Sequence, residues 1–246
     1  FEIVEKQKIP LVFFTEGGGG RPGDIDVQSV AGLNTMAFHI FGRLSGAVPL
    51  VGINSGRCFA GNAAILGCCD VVIATKNSSI GMGGPAMIEG GNLGVFSPEE
   101  VGPMSVQVPN GVVDIAVEDE AEAVAVAKQY LSYFQGALPE WRAADQRLLR
   151  RAIPENRLRV YDVRDVIATL CDEGSVLELR QGFGPGVVTA VGGTFTASKA
   201  ESEARDLIKG LGEEAGFAGE RIAADIDAKE GRAAAAVARA ERITRD

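Results

Sequence analysis

The chain has 246 residues, is 46% hydrophobic and carries a formal net charge of −9 at pH 7. That length suits one large or two small globular domains with a core, and the acidic balance argues against a general nucleic-acid binder. No apolar run approaches the roughly 20 residues of a membrane helix, and no basic region followed by an apolar stretch marks a signal peptide at the start.

The first residue is Phe1, and the charged FEIVEKQK reads as the end of a helix in a chain cut from a longer one. Leu11–Phe14 is an apolar run suited to a buried parallel strand, and it opens directly into the glycines Gly17 to Gly20 and on to Asp24. From Val27 an apolar helix runs through Leu44 to Gly46. Val48–Ile53 is the next strand, with breaks at Ser55-Gly56 and Ala60-Gly61. AGNAAILGCC from Ala60 reads as a small-residue helix packed closely on it. Asp70–Thr75 is a third strand and Ser79-Ile-Gly-Met a short fourth. Strand, helix, strand with short connections is a right-handed crossover unit on a mostly parallel sheet, hence an α/β fold. EDEAEAVAVAKQYL from Glu118 begins acidic and has Lys128 late, which suits a helix dipole.

ALPEWRAADQ reads as a polar loop, and the charged, proline-bearing RRAIPENRLRVYDV places a domain boundary near Pro154. Residues 155–190 then read as helix, turn, strand, glycine loop and strand, the opening of a second α/β unit. Residues 191–246 are rich in Ala, Glu and Arg with helical spacing, so a helical tail is expected there.

Glycine after a buried strand lets backbone N–H groups face a ligand without a Cβ in the way. Two such loops can supply two converging donors, the layout of a backbone oxyanion hole. A phosphate loop is a poorer reading of GGGGRPGD, because no Gly-Lys-Ser/Thr follows it. Cys58, Cys68, Cys69 and Cys171 have no metal-ligand spacing, and the pair Cys68-Cys69 reads as buried free thiols in a reducing, cytoplasmic setting. The only histidine, His39, lies in a helix-like run and reads as a helix residue rather than a base.

NSGRCFAGNAAILGCCDVVIAT resembles the signature of the crotonase superfamily. TEGGGGRPGD, MGGPAMIEGG, PEEVGP, NGVVDI, EDEAEAVAVAKQYLSYFQ and YDVRDVIATLCDEGSVLELRQGFG, in that order, are similar to the carboxyltransferase component, beta type, of biotin-dependent acyl-CoA carboxylases. The similarity runs from residue 1 to about Ala190 and fades beyond it. It implies a crotonase-like ββα superhelix: an N-terminal carboxyltransferase domain over 1–154, the start of a second over 155–190, and an unplaced segment over 191–246.

The same resemblance implies carboxyl transfer from carboxybiotin to the α-carbon of an acyl-CoA such as acetyl- or propionyl-CoA, through an enolate. Ala60 and Gly61 would hold the thioester oxyanion by their N–H groups, and Gly18, Gly19 and Gly20 would line the cavity. Arg21 or Arg57 would meet a CoA phosphate, unless they only form surface salt bridges, and Gly84-Pro85 would shape the acyl pocket or simply turn the chain. The ureido nitrogen of biotin would take the α-proton, so no histidine is needed. Biotin would arrive on another domain or chain, because Ala86-Met87 is followed by Ile88 and not by the lysine of an attachment hairpin. The implied partners are biotin carboxyl carrier and biotin carboxylase domains or subunits and a second copy of the chain, with no metal. Competing readings are a hydratase or isomerase, for which Glu16 or Asp24 would be the base, a biotin-dependent decarboxylase, or an inactive CoA-binding fragment.

Overall fold

The apolar runs form one parallel sheet whose two central strands are buried at every residue. Leu11–Phe14, expected as a buried strand, stands instead at the sheet edge with Phe14 exposed, because among the described residues it has a strand partner on one side only. The computed structural model describes residues 1–18, 36–136, 142–156 and 158–193. In it β1 (Leu11–Phe14), β2 (Leu50–Asn54), β4 (Val71–Thr75) and β6 (Ile115–Val117) stand in the order β1-β2-β4-β6, all parallel. Two shorter strands, β3 (Arg57–Phe59) and β5 (Ser79–Gly81), pair in parallel as a second sheet. Each passage through β2-β3 or β4-β5 thus gives one strand to each sheet before the next helix.

Period-two alternation divides the core. Val51, Ile53, Val71 and Ile73 face Ala123, Ala127 and Tyr130 of α6 (Glu120–Ser132). On the opposite face Val72 and Ala74 meet Ala63 and Leu66 of α3 (Gly61–Leu66), together with Cys58 and Ile80 from the small sheet. Gly52 lets α3 come this close, since a Cβ there would lie 2.5 Å from Leu66 Cδ1. A third cluster joins Val4 of α1 (Glu2–Gln7) to Phe41 and Leu44 of α2 (Ala37–Leu44).

Register is fixed by acids at the strand entrances. Asp70 donates its N–H to the Leu50 carbonyl and accepts the Leu50 N–H on its carboxylate, both at 2.8 Å. Asp114 repeats the device one strand later: its N–H reaches the Val72 carbonyl at 2.9 Å, and its carboxylate takes the Val72 N–H at 2.8 Å. A slip by one residue would bury the wrong face and strand each carboxylate.

The expected elements that fall on described residues lie within a residue or two of where the sequence places them, except that α3 ends at Leu66, three residues short of Cys69. β3 and β6 come in addition, and Pro85 starts a helix, α4 (Pro85–Gly90), rather than a mere turn. Further along are α5 (Met104–Gln107), α7 (Leu149–Ala152) and α8 (Val163–Leu170), then the antiparallel pair β7 (Leu177–Leu179) and β8 (Thr189–Val191). Residues 155–190, expected to open a second domain, lie in the same compact unit, residues 1–193, as the chain before Pro154. Their attachment is physical: Leu177, Leu179 and Val191 pack on the core under α6, and Arg180 Nε donates to Asp114 Oδ1 at 2.6 Å. The start of the expected Val27–Leu44 helix and the tail over 194–246 lie outside the described residues. No helix among the described residues is long and apolar enough to cross a membrane.

The cysteines depart from expectation in one respect. All four are free, but of the pair expected to be buried Cys69 is only partly buried and Cys68 is exposed, because α3 stops at Leu66 and the turn that follows carries Cys68 to the surface. Burial, reinforced by Asp70, pushes the Cys69 thiol up to about 12, and burial also raises Cys58. At pH 8 Cys69 is therefore protonated and poorly nucleophilic. Iodoacetamide at that pH is expected to modify Cys68 well before Cys58 or Cys69, as localised by fragment-ion mass spectrometry. Equal labelling of Cys58 in the folded protein would contradict the packing of β3.

Candidate functional site

Parallel strands end at one edge, and the loops leaving that edge are where α/β sheets present their chemistry. Here the loops after β1 and β2 converge there. Gly17 donates its N–H to the Arg57 carbonyl at 2.8 Å and accepts the Phe59 N–H at 2.9 Å, which adds the first glycine loop to β3 as one more rung. Asn62 Nδ2 donates to the carbonyls of Thr15 and Glu16, at 3.0 and 3.1 Å. Glu16 in turn accepts the Ser55 N–H at 2.6 Å, and the Ser55 hydroxyl donates to Glu120 at 2.8 Å.

Under these loops lies a buried polar layer. Thr15 Oγ1 lies 3.1 Å from the Ile53 carbonyl and 3.2 Å from Asn54 Oδ1, Asn54 Nδ2 donates to the Gly56 carbonyl at 2.9 Å, and Ser78 Oγ donates to the Asn54 carbonyl at 2.9 Å. Thr15, Asn54, Thr75 and Ser78 are all buried, so their hydrogen bonds have no water to replace them.

Between β3 and α3 the chain turns at Ala60, whose φ of 54° and ψ of −122° belong to a region that glycine normally takes. Its N–H donates to the Gly81 carbonyl at 3.2 Å. This revises the expectation that Ala60 and Gly61 both offer N–H groups, because the first is spent within the fold. Gly61 is the first residue of α3, and an N–H there has no partner inside its own helix. Among the described residues nothing accepts it. Gly61 is held from the other side by Phe38, whose ring would lie 2.8 Å from an added Cβ.

The remaining expected residues fall around this turn. Gly18 follows the Gly17 rung with open space where a side chain would stand. Gly19, Gly20, Arg21 and Asp24 lie outside the described residues. Gly84 and Pro85 start α4 beside the turn: a Cβ on Gly84 would lie 3.4 Å from the Phe59 ring. Arg57 is engaged by Glu99, Nη2 to Oε1 at 2.6 Å, so the surface salt bridge is the state seen, and a phosphate would have to displace Glu99. The guanidinium lowers the Glu99 pKa correspondingly. His39 is exposed on α2, and no group of three or more metal-ligating side chains occurs among the described residues.

Sequence reasoning passed over Asn62, Gly81 and Phe38. Asn62 carries a visible signal, a lone carboxamide on the otherwise apolar GNAAIL. Gly81 acts through its carbonyl and Phe38 through shape, and neither leaves a mark in a single sequence.

The chain is similar to known proteins. The Carboxyl transferase domain family matches residues 2–194. The methylmalonyl-CoA carboxyltransferase 12S subunit of Propionibacterium freudenreichii subsp. shermanii is 30% identical over 190 residues, covering 74% of this chain and 36% of that protein. A solved single-chain, multi-domain long-chain acyl-CoA carboxylase is 56% identical with a TM-score of 0.71, covering 78% of this chain and 19% of its own. A solved transcarboxylase 12S hexamer with methylmalonyl-CoA bound is 26% identical with a TM-score of 0.64, covering 78% and 39%. The chain therefore spans about two-fifths or less of the length of these relatives. It belongs to the carboxyl transferase domain family of biotin-dependent acyl-CoA carboxylases, and its α/β fold with parallel sheets matches their structures.

The Ala60 turn depends on β5 staying where it is, and Gly102 secures it. Gly102 sits at φ +61° and accepts the Ile80 N–H at 2.9 Å, and a Cβ there would fall 1.9 Å from the Ile80 carbonyl oxygen. Gly102→Ala is expected to cost about 3 kcal/mol or more in urea unfolding, through backbone strain and overlap together. A loss below about 1 kcal/mol would mean that β5 shifts freely.

Proposed function

We propose that this chain supplies the acyl-CoA side of a biotin-dependent carboxyltransferase, binding the thioester at the Ala60-Gly61 turn and stabilising its enolate by backbone donors. The observation that carries this reading is the N–H of Gly61, which has no acceptor among the described residues and stands where the two glycine loops converge. An enolate oxygen gains most from donors fixed in place before charge develops. The turn meets that condition, since β3, β5, α3 and the Gly17 rung all hold it. With the Ala60 N–H engaged by Gly81, the second donor is assigned to the first glycine loop, at Gly18 or beyond.

Gly84 and Pro85, packed on Phe59 at the start of α4, border the acyl group in this reading. Met82, Met87, Leu93, Val95 and Phe96 are exposed in the same stretch and suit an acyl chain or the second copy of the chain expected from the sequence. The substrate class is an acyl-CoA. Acetyl- and propionyl-CoA follow from the sequence, and the 56% identity to a long-chain carboxylase adds longer chains to the set to be tested. Carboxybiotin supplies the carboxyl group when bound. Its lysine belongs to another domain or chain, because Ala86 and Met87 lie inside α4 and lead to Ile88.

A hydratase or isomerase would need a free carboxylate at the turn. Glu16 Oε1 accepts the Ser55 N–H, which orients this carboxylate toward the β2 loop, and Asp24 lies outside the described residues. The balance favours a backbone cradle over side-chain acid–base work.

Isothermal titration with acetyl-, propionyl- and palmitoyl-CoA is expected to give binding of at least one thioester even where turnover needs a biotinylated partner. No heat at millimolar ligand would remove this reading. Where the chain turns over, Gly61→Pro deletes the donor and is expected to lower carboxyl transfer about a hundredfold or more, the loss of one oxyanion donor. Circular dichroism and CoA affinity measured beside the rate separate that loss from a disturbed loop. His39→Gln is expected to leave the rate nearly unchanged. The reverse pattern, in folded protein, would require a side-chain base.

A further inference from the structure

Among the described residues, Asn62, the residue after Gly61, is the side chain of α3 that hydrogen-bonds to the backbone leading into the first glycine loop. Its carboxamide nitrogen lies 3.0 Å from the Thr15 carbonyl and 3.1 Å from the Glu16 carbonyl, so both amide protons are given to consecutive backbone acceptors at the end of β1. Two carbonyls facing one group demand a two-proton donor of fixed reach, which only a carboxamide supplies here. Gly17 is shaped to admit it: a Cβ on Gly17 would stand 2.5 Å from Asn62 Nδ2. The far side of Gly17 is tied to β3 through Arg57 and Phe59, which closes a ring of hydrogen bonds around the Ala60-Gly61 turn. Within that ring the backbone rungs tie Gly17 to β3, and Asn62 adds the side-chain tie between α3 and the end of β1, next to Gly18.

We propose that Asn62 is a positioning residue: its carboxamide sets the Gly61 N–H against the Gly18 N–H, so that both meet one enolate oxygen. This rests on the acyl-CoA reading above. A ligand that lacks the oxygen binds without help from Asn62, while a ligand that carries an anion there depends on it. Donors must hold their place to within about half an ångström to keep their effect, and neither Gly61 nor the glycines have side chains to lock themselves.

The test compares two probes by calorimetry on the chain as it is. One is a propionyl-CoA analogue with a nitronate at the α-carbon, a planar anionic mimic of the enolate. The other is propyl-CoA, a thioether without the carbonyl oxygen. The native protein is expected to prefer the nitronate at least tenfold. Asn62→Ala is expected to cut that preference about tenfold while leaving propyl-CoA affinity within twofold and Tm within a few degrees. Gly17→Ala, which pushes the carboxamide aside without touching Asn62, is expected to do the same and serves where Asn62→Ala fails to fold. In a Gly61→Pro background, the Asn62 change is expected to add less than twofold, since the donor it positions is gone.

An unchanged preference in Asn62→Ala overturns the proposal and leaves the acyl-CoA reading standing. Equal losses for both probes with a matching fall in Tm assign Asn62 to general stability and overturn it as well. A native protein that binds the two probes alike overturns the acyl-CoA reading itself, and the proposal with it.

Discussion

Everything at the candidate site depends on the hydrogen bond from Ala60 N–H to the Gly81 carbonyl. Ala60 holds a backbone conformation that costs about 1–3 kcal/mol for a residue with a Cβ, and such a conformation persists only when its surroundings over-determine it. The Gly81 carbonyl is the nearest constraint. β5 is aligned by the β3 ladder on one side and by Gly102 and Gln107 on the other, where Gln107 Nε2 donates to the Ile80 carbonyl at 2.5 Å. The strain is thus carried by the small sheet. Its product is a helix that starts abruptly, with the Gly61 N–H left without an acceptor among the described residues.

The large sheet serves the small one. β2 and β4 are buried at every residue, and Gly52 lets Leu66 sink into the sheet so that α3 lies flat against it. Were that glycine larger, α3 would lift and carry Gly61 with it. At the strand ends, Thr15, Asn54 and Ser78 bind the last carbonyls and the first loop residues together. The loops therefore leave a fixed platform. This layer is polar because the strand ends carry backbone groups that no ladder satisfies, and burial makes each of those bonds obligatory.

Much of this was legible in the sequence. Leu11–Phe14 and Asp70–Thr75 are short, continuous apolar runs bounded by glycine or acid, and such runs leave few alternatives to a parallel strand. The Asp70 signal was stronger than it looked, for Val113-Asp114-Ile115-Ala116-Val117 repeats the same acid-then-apolar order, and β6 could have been found by that analogy. β3 was hidden because Arg57–Phe59 is only three residues long and gains its strand character from Gly17 and β5, which are distant in sequence. The glycine loops are legible as a candidate site. That Ala60 gives its N–H to the Gly81 carbonyl is not, since only the fold determines where that carbonyl lies. Cys68 was misjudged for a local reason: composition shows an apolar stretch but not that the helix ends two residues earlier.

The polar side chains near the turn are turned toward structure rather than toward a substrate. Glu16 is held by Ser55, Ser55 by Glu120, Arg57 by Glu99, and Asn62 by two backbone carbonyls. A site built on side-chain acid–base chemistry would leave at least one of these groups free with a shifted pKa, as burial beside a charge produces. Glu99 is held by Arg57 on the surface, and the guanidinium lowers its pKa. These side chains orient the backbone of the turn, and in the proposed reading the backbone meets the ligand. Such a division suits a reaction whose demand is a place for negative charge on oxygen, because amide dipoles fixed by a ladder need no reorganisation when that charge appears.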